Sequence, residues 1–140
     1  MGHPPRSKGG ASHFSWASRG MILSGLAILV FLVVHILHFK FGPAEAQGYI
    51  TDIQGEPARD LYRLVVENFA DPKWVAFYCA AMVIFGLHIR HGIWSAFQSL
   101  GWMSAGLNSR TYWISLWIAI LLAGGFFIIP LALWSRGGAS

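Results

Sequence analysis

Five ionisable side chains stand where an otherwise apolar sequence has least use for them. His88, Arg90 and His91 follow an uncharged run from Trp74 to Leu87, within the stretch GLHIRHGIWSAFQSLG. His35 and His38 lie near the far end of a second apolar run that begins at Gly20. Ionisable groups inside a bilayer are expensive and tend to mark functional sites. His38 and His91 each come three residues after their partner, so each pair projects from nearly the same helix face. A neutral imidazole in lipid needs a partner. Either it hydrogen-bonds between helices, or it belongs to a functional site such as a proton relay or a haem. Two such histidines on separate runs favour the second. Zinc is disfavoured, because these runs hold no thiolate cluster and no carboxylate. Haem suits an apolar helix bundle, where a dry slot takes the porphyrin and an imidazole nitrogen completes the iron. Gly25 and Gly92 would make room for a flat macrocycle, and Arg90 would snorkel to the interface or pair with a haem propionate.

The elements that must position these residues are membrane spans. Of 140 residues, 55% are hydrophobic and 11% are charged, against roughly 25% charged in a soluble domain. Apolar runs at about 20–39, 74–97 and 112–134 each approach the roughly 20 residues that cross a hydrocarbon core. The expected fold is an all-α integral membrane bundle of three transmembrane helices, with a polar tail over 1–18 and the bundle over 19–140. The first run is too long for a signal-peptide core and lacks a small-residue cleavage site before Lys40. Little of the chain remains for a soluble catalytic domain, so chemistry on water-soluble substrates is expected of a partner. The net charge of +4 sits at helix ends, as in juxtamembrane loops, and is no nucleic-acid signal. The single cysteine, Cys79, excludes an intrachain disulfide and a thiolate metal site within this chain alone.

All six acidic residues fall in the connection from Gly42 to Lys73. Leu61, Leu64, Val65 and Phe69 form an apolar stripe there, which predicts a short amphipathic helix along the membrane surface. Asp71-Pro72 supplies a start for the second span, and Gly101-Trp102 ends it. A short loop, Met103 to Arg110, leads to the third span, where Gly124-Gly125 offers a close helix contact and Pro130 a bend. Lys and Arg are split between the tail (Arg6, Lys8, Arg19) and the long loop (Arg59, Arg63, Lys73), so the positive-inside rule barely discriminates. The reading adopted is tail inside, acidic loop outside. At 1.5 Å per residue, His35 and His88 then differ in depth by about 7 Å. Axial ligands of one upright haem should be nearly level, so two haems are expected, each needing a second ligand from a helix outside this chain.

These residues resemble a known family. ASRGMILSGLAILVFLVVHILHFKFG (Ala17 to Gly42), LYRLVVENFADPKWVAFYCAAMVIFGLHIRHGIWSAFQSLGW (Leu61 to Trp102) and GGFFIIPLAL (Gly124 to Leu133) are similar to the C-terminal three helices of the five-helix, dihaem cytochrome b subunit of succinate dehydrogenase and fumarate reductase. The most specific part is the pattern H-x-x-x-G-x-W-S-x-x-Q-x-L-G from His88 to Gly101. The resemblance implies that His35 is an axial ligand of the distal haem and His88 of the haem nearer the iron–sulfur subunit. Both would bind haem b iron, while His91 matches a variable position. It implies a cell inner (cytoplasmic) membrane, a cytoplasmic N-terminus, and a flavoprotein and an iron–sulfur subunit as partners. The chain would carry electrons between that pair and membrane quinone, with the dicarboxylate site on the flavoprotein. Arg90 and His91 are candidate haem-propionate or quinone contacts, with Trp94 and Ser95 close by. The family's first two helices have no counterpart here. Either a second small membrane subunit supplies them with the missing ligands, or one or both haems are lost. Three alternatives stay open: a haem-free structural anchor of the same complex, the cytochrome b subunit of another membrane oxidoreductase, and a Rieske-type centre drawing on Cys79 and His88.

Overall fold

The computed structural model describes residues 16–102 and 107–137. Three of its helices are long and apolar enough to cross a membrane, and the bundle is all-α apart from one small hairpin. The polar tail up to residue 15, and 103–106 of the expected loop, lie outside the described residues.

Helix α1 (Trp16–His35) starts inside the segment expected to be tail. It runs into a wide π-helical turn, Ile36–Lys40, closed by Phe41 N–H donating to the Ile36 carbonyl at 3.2 Å. Helix α2 (Leu61–Asn68) is the expected amphipathic segment, with Leu64 buried, Val65 half-buried and Leu61 exposed. Asp60 caps it by accepting from Arg63 N–H at 2.9 Å. Helix α3 (Pro72–Ser99) begins as read from the sequence: Pro72 occupies the first turn and Asp71 accepts from Lys73 N–H at 2.9 Å. Its far end is a Schellman closure. Gly101 has φ +69° and donates to the Gln98 carbonyl, Trp102 donates to the Phe97 carbonyl, and the Phe97 and Trp102 rings meet at 5.7 Å. Helix α4 (Leu107–Gly137) starts before the expected Tyr112 and runs unbroken through the buried Pro130.

The sequence reading missed a hairpin in the acidic connection. Strands β1 (Ile50–Ile53) and β2 (Glu56–Arg59) pair antiparallel with Ile53 opposite Glu56. Gln54 and Gly55 both have positive φ, 57° and 89°, the backbone of a type I′ turn whose twist suits a two-residue hairpin loop. Asp52 accepts from Gly55 N–H at 2.9 Å. The signal was Gln-Gly after the β-branched Ile50, Thr51 and Ile53, disguised because Asn or Asp usually takes the first place.

Arg59 fastens this hairpin to the end of the first span. Its guanidinium donates to the carbonyls of Pro43 at 2.9 Å, Lys40 at 3.1 Å and Gly42 at 3.1 Å. These are carbonyls at and just beyond the end of a helix, where partners are scarce and a cation is favoured. The core lies at this same end of the bundle, where Phe69, Val75 and Tyr78 are buried against Phe31, Phe39 and Trp74. Helices α3 and α4 approach most closely further along. A Cβ at Gly86 would stand 3.0 Å from the Ala123 Cβ and 3.9 Å from the Ala119 carbonyl oxygen. The close contact is therefore not at Gly124-Gly125, where an added Cβ would meet nothing within 4 Å.

Replacing Arg59 by Ala should cost the hairpin about 1–3 kcal/mol, since three charge-assisted bonds at a half-exposed site are lost. The expected readout is faster amide exchange at Asp60, whose N–H donates to Tyr49 O, with exchange in α4 unchanged. A second dependence concerns Glu67, which accepts from Tyr49 O–H and from Arg63 at 2.7 Å. Those bonds, Tyr49's first, hold its carboxyl below the ordinary range. A lowered pKa contributes stability above the unfolded value and loses it as pH falls through the folded one. Tyr49 should thus stay tethered at neutral pH and come loose only in acid below the usual glutamate range, followed by its ring NMR signals.

Candidate functional site

His88 sits half-buried on the α1-facing side of α3. Its Nδ1 lies 2.8 Å from Ser24 Oγ, and that hydroxyl donates to the Met21 carbonyl at 3.1 Å. A hydroxyl has one proton to give. Where that proton goes to Met21, Ser24 accepts from His88, and the matching tautomer carries its proton on Nδ1 and a lone pair on Nε2. Fixing one nitrogen by a hydrogen bond is how proteins set which nitrogen of a ligating histidine faces the metal. Gly25 brings α1 against this ring: a Cβ there would lie 3.4 Å from His88 Cε1. Gly92, one turn on, faces open space, with nothing within 4 Å of an added Cβ. Donor nitrogen and adjacent room together fit a haem-ligating position. Ser24 escaped the sequence reading, although a lone hydroxyl in an apolar span is itself a prompt to seek its partner.

His35 is placed differently. It is exposed at the junction of α1 with the π turn, its ring 5.7 Å from Phe31, 5.3 Å from Phe39 and 6.0 Å from Tyr78. No described residue hydrogen-bonds it. None of the described residues of α1 is buried either, so His35 stands on an open face. It lies ten residues beyond Gly25, which is level with His88, and this places the two imidazoles about 15 Å apart along the helix axis. That exceeds the 7 Å or so expected from span ends, because α1 begins at Trp16, ahead of the expected span. One iron cannot be shared across such a gap.

His38 spends both nitrogens on the protein. Nε2 lies 2.7 Å from Asn68 Oδ1 and Nδ1 3.3 Å from Tyr78 Oη, while the ring stacks on Trp74 at 4.0 Å. The amide oxygen accepts from Nε2–H, and Nδ1 accepts from the tyrosine. Asn68 Nδ2 is left buried with no partner among the described residues. Tyr78, Asn68 and the π turn were not foreseen. The polar tyrosine in the apolar run after Trp74 was the available signal.

The opening cluster divides. Two residues along a helix is about 200° of rotation, and Arg90 accordingly faces α4, its guanidinium 4.7 Å from the centre of the Tyr112 ring. Arg90, His91 and Trp94 line a cavity with Leu87, Tyr112 and Ser115. Ser95 is exposed and outside that lining. Cys79 also turns to α4, its Sγ 3.8 Å from the Phe127 carbonyl. It is about 13 Å along α3 from His88, so the chain does not assemble the thiolate and imidazole of a Rieske-type site. Among the described residues no three His, Cys, Asp or Glu side chains form a metal-binding group.

No family model, no curated protein and no solved structure matches this chain. What fold and site define is an all-α membrane bundle with one imidazole held against a serine between helices and a second left open.

The tautomer is testable without any ligand. In ¹⁵N spectra of the full chain, His88 should show a protonated Nδ1 and an unprotonated Nε2. Ser24→Ala should release the ring and leave a mixture of tautomers.

Proposed function

We propose that the chain is a membrane-anchor, haem b-binding subunit of a succinate:quinone oxidoreductase, carrying electrons between an iron–sulfur subunit and membrane quinone. The observation that supports this reading is the contact of His88 Nδ1 with Ser24, which leaves Nε2 without a partner among the described residues, one turn before the open space at Gly92. Haem, when bound, supplies a one-electron iron couple. The chain's own part is to hold the imidazole in one tautomer and to keep water from it with apolar helix faces. His35 supports a second, distal site, since an unbonded imidazole on an open α1 face suits a ligand and helix brought by another subunit.

The resemblance assigns the rest: a flavoprotein with the dicarboxylate site, an iron–sulfur partner, a second small membrane subunit, and a cell inner membrane with the N-terminus cytoplasmic. Quinone is the membrane substrate. Of its candidate contacts, Arg90, His91 and Trp94 line the α3–α4 cavity and Ser95 lies just outside it.

A haem-free anchor is the rival, and His38 favours it, because that histidine serves wholly as an interhelical hydrogen-bonding group. The intact complex discriminates. A dithionite-reduced b-type band is expected, with His88→Ala abolishing one haem signal and His35→Ala the other. Ser24→Ala should lower haem retention by about 10–100-fold, as loss of a ligand's supporting hydrogen bond does. Absence of the band in the unmodified complex would leave only the anchor.

A further inference from the structure

Arg90 presents a charge that this chain does not neutralise. All six acidic residues lie between Glu45 and Asp71, so even Asp71 is about 28 Å away along α3. Among the described residues Arg90 makes no ion pair, and its guanidinium lies over the Tyr112 ring. That stack occupies the face of the guanidinium and leaves its N–H edges for an acceptor. Tyr112 lies in the first turn of the third candidate span, which begins at Ser109. The cation is therefore held at the interfacial level where lipid headgroups sit.

A second cavity joins the first at Leu87 and Arg90 and continues between the two helices, bounded by Met82, Gly86, Ala123 and Phe127. The volumes are about 400 Å³ for this apolar groove and 470 Å³ for the cavity around Arg90. From Arg90 to Met82 is about 12 Å, close to the roughly 15 Å depth of one leaflet's hydrocarbon. A cation at the headgroup level opening onto an acyl-length apolar groove matches a molecule with an anionic head and a hydrocarbon tail. A haem on His88 does not supply the anion, since that ring faces α1. A quinone is neutral and leaves the charge uncompensated.

We infer that the α3–α4 groove is a binding site for one anionic phospholipid, its phosphate on Arg90 and an acyl chain along Gly86, Ala123 and Gly124. Basic pockets between membrane helices bind such headgroups, at about 1 kcal/mol per basic side chain.

The experiment is native mass spectrometry of the full chain in its purified complex, exchanged in turn with phosphatidylglycerol, phosphatidylcholine, a long-chain quinone and inorganic phosphate. One phosphatidylglycerol should be retained about fivefold better than phosphatidylcholine, and Arg90→Gln should erase that preference. Gly124→Leu keeps the charge and fills the groove where an added Cβ meets nothing, so it should lower retention of both lipids. Equal retention of the two lipids, a preference that survives Arg90→Gln, displacement by quinone, or occupancy by phosphate alone would each overturn the proposal. Lipid retention is read without reference to the haem band, so it stands or falls separately from the oxidoreductase reading.

Discussion

An imidazole in hydrocarbon has two nitrogens to satisfy, and the lipid satisfies neither. That constraint organises the junction between α1 and α3. The polar side-chain links described across it both run through histidine: Ser24 to His88, and His38 to Tyr78. They lie at opposite ends of the shared length and hold the helices at two levels. The α3–α4 junction works differently. There Gly86, Ala119 and Ala123 let backbones come close, and van der Waals contact takes over. One pair of helices is joined by polar contacts and the other by small residues, so removing a histidine should loosen α1 selectively.

The loop end of the bundle holds its aromatic core. Tyr78 is buried at its centre, with Phe31, Phe69 and Phe77 edge-on at 5.3, 5.1 and 5.6 Å. Edge-to-face contact suits the quadrupoles of these rings and adds to the area they bury. The π turn belongs to this arrangement, because it carries His38 towards Asn68 and Trp74 while leaving His35 outside. Insertions of this kind recur at functional sites. Arg59 then closes the end by bonding the carbonyls that the turn leaves over. A surface hairpin and a helix terminus thus share one guanidinium.

The spans, the α2 stripe and the Asp71-Pro72 start were legible in the sequence because each rests on local rules: hydrophobic run length, helical spacing and capping chemistry. The β1–β2 hairpin was not, since Gln54 is an unusual residue for its backbone angle. Gly124-Gly125 was mistaken for the close contact because spacing alone does not reveal which face of α4 meets α3, and Gly86 proved to be the glycine that matters. At the site, residue types pointed to His35 and His88, but their partners come from residues far apart in the chain. Ser24 and His88 are 64 positions apart. Only the fold shows that Arg90 and His88, two residues apart, look at different helices.

The three histidines of the α1–α3 region also argue about role from hydrogen bonding alone. His38 has both nitrogens engaged, and a ligand could take one only by stranding Asn68 or Tyr78, at a cost of about 1–3 kcal/mol for a buried group. His88 has one nitrogen engaged and the other free, which holds the ring in place and keeps a lone pair available. His35 has neither, on a helix face that no described residue buries. The three rings thus make two, one and no hydrogen bonds to the described residues. Sequence position does not order them this way, since His35 and His38 lie within one turn. The order comes from what each ring meets, and a bilayer, which offers no alternative acceptor, makes that difference decisive.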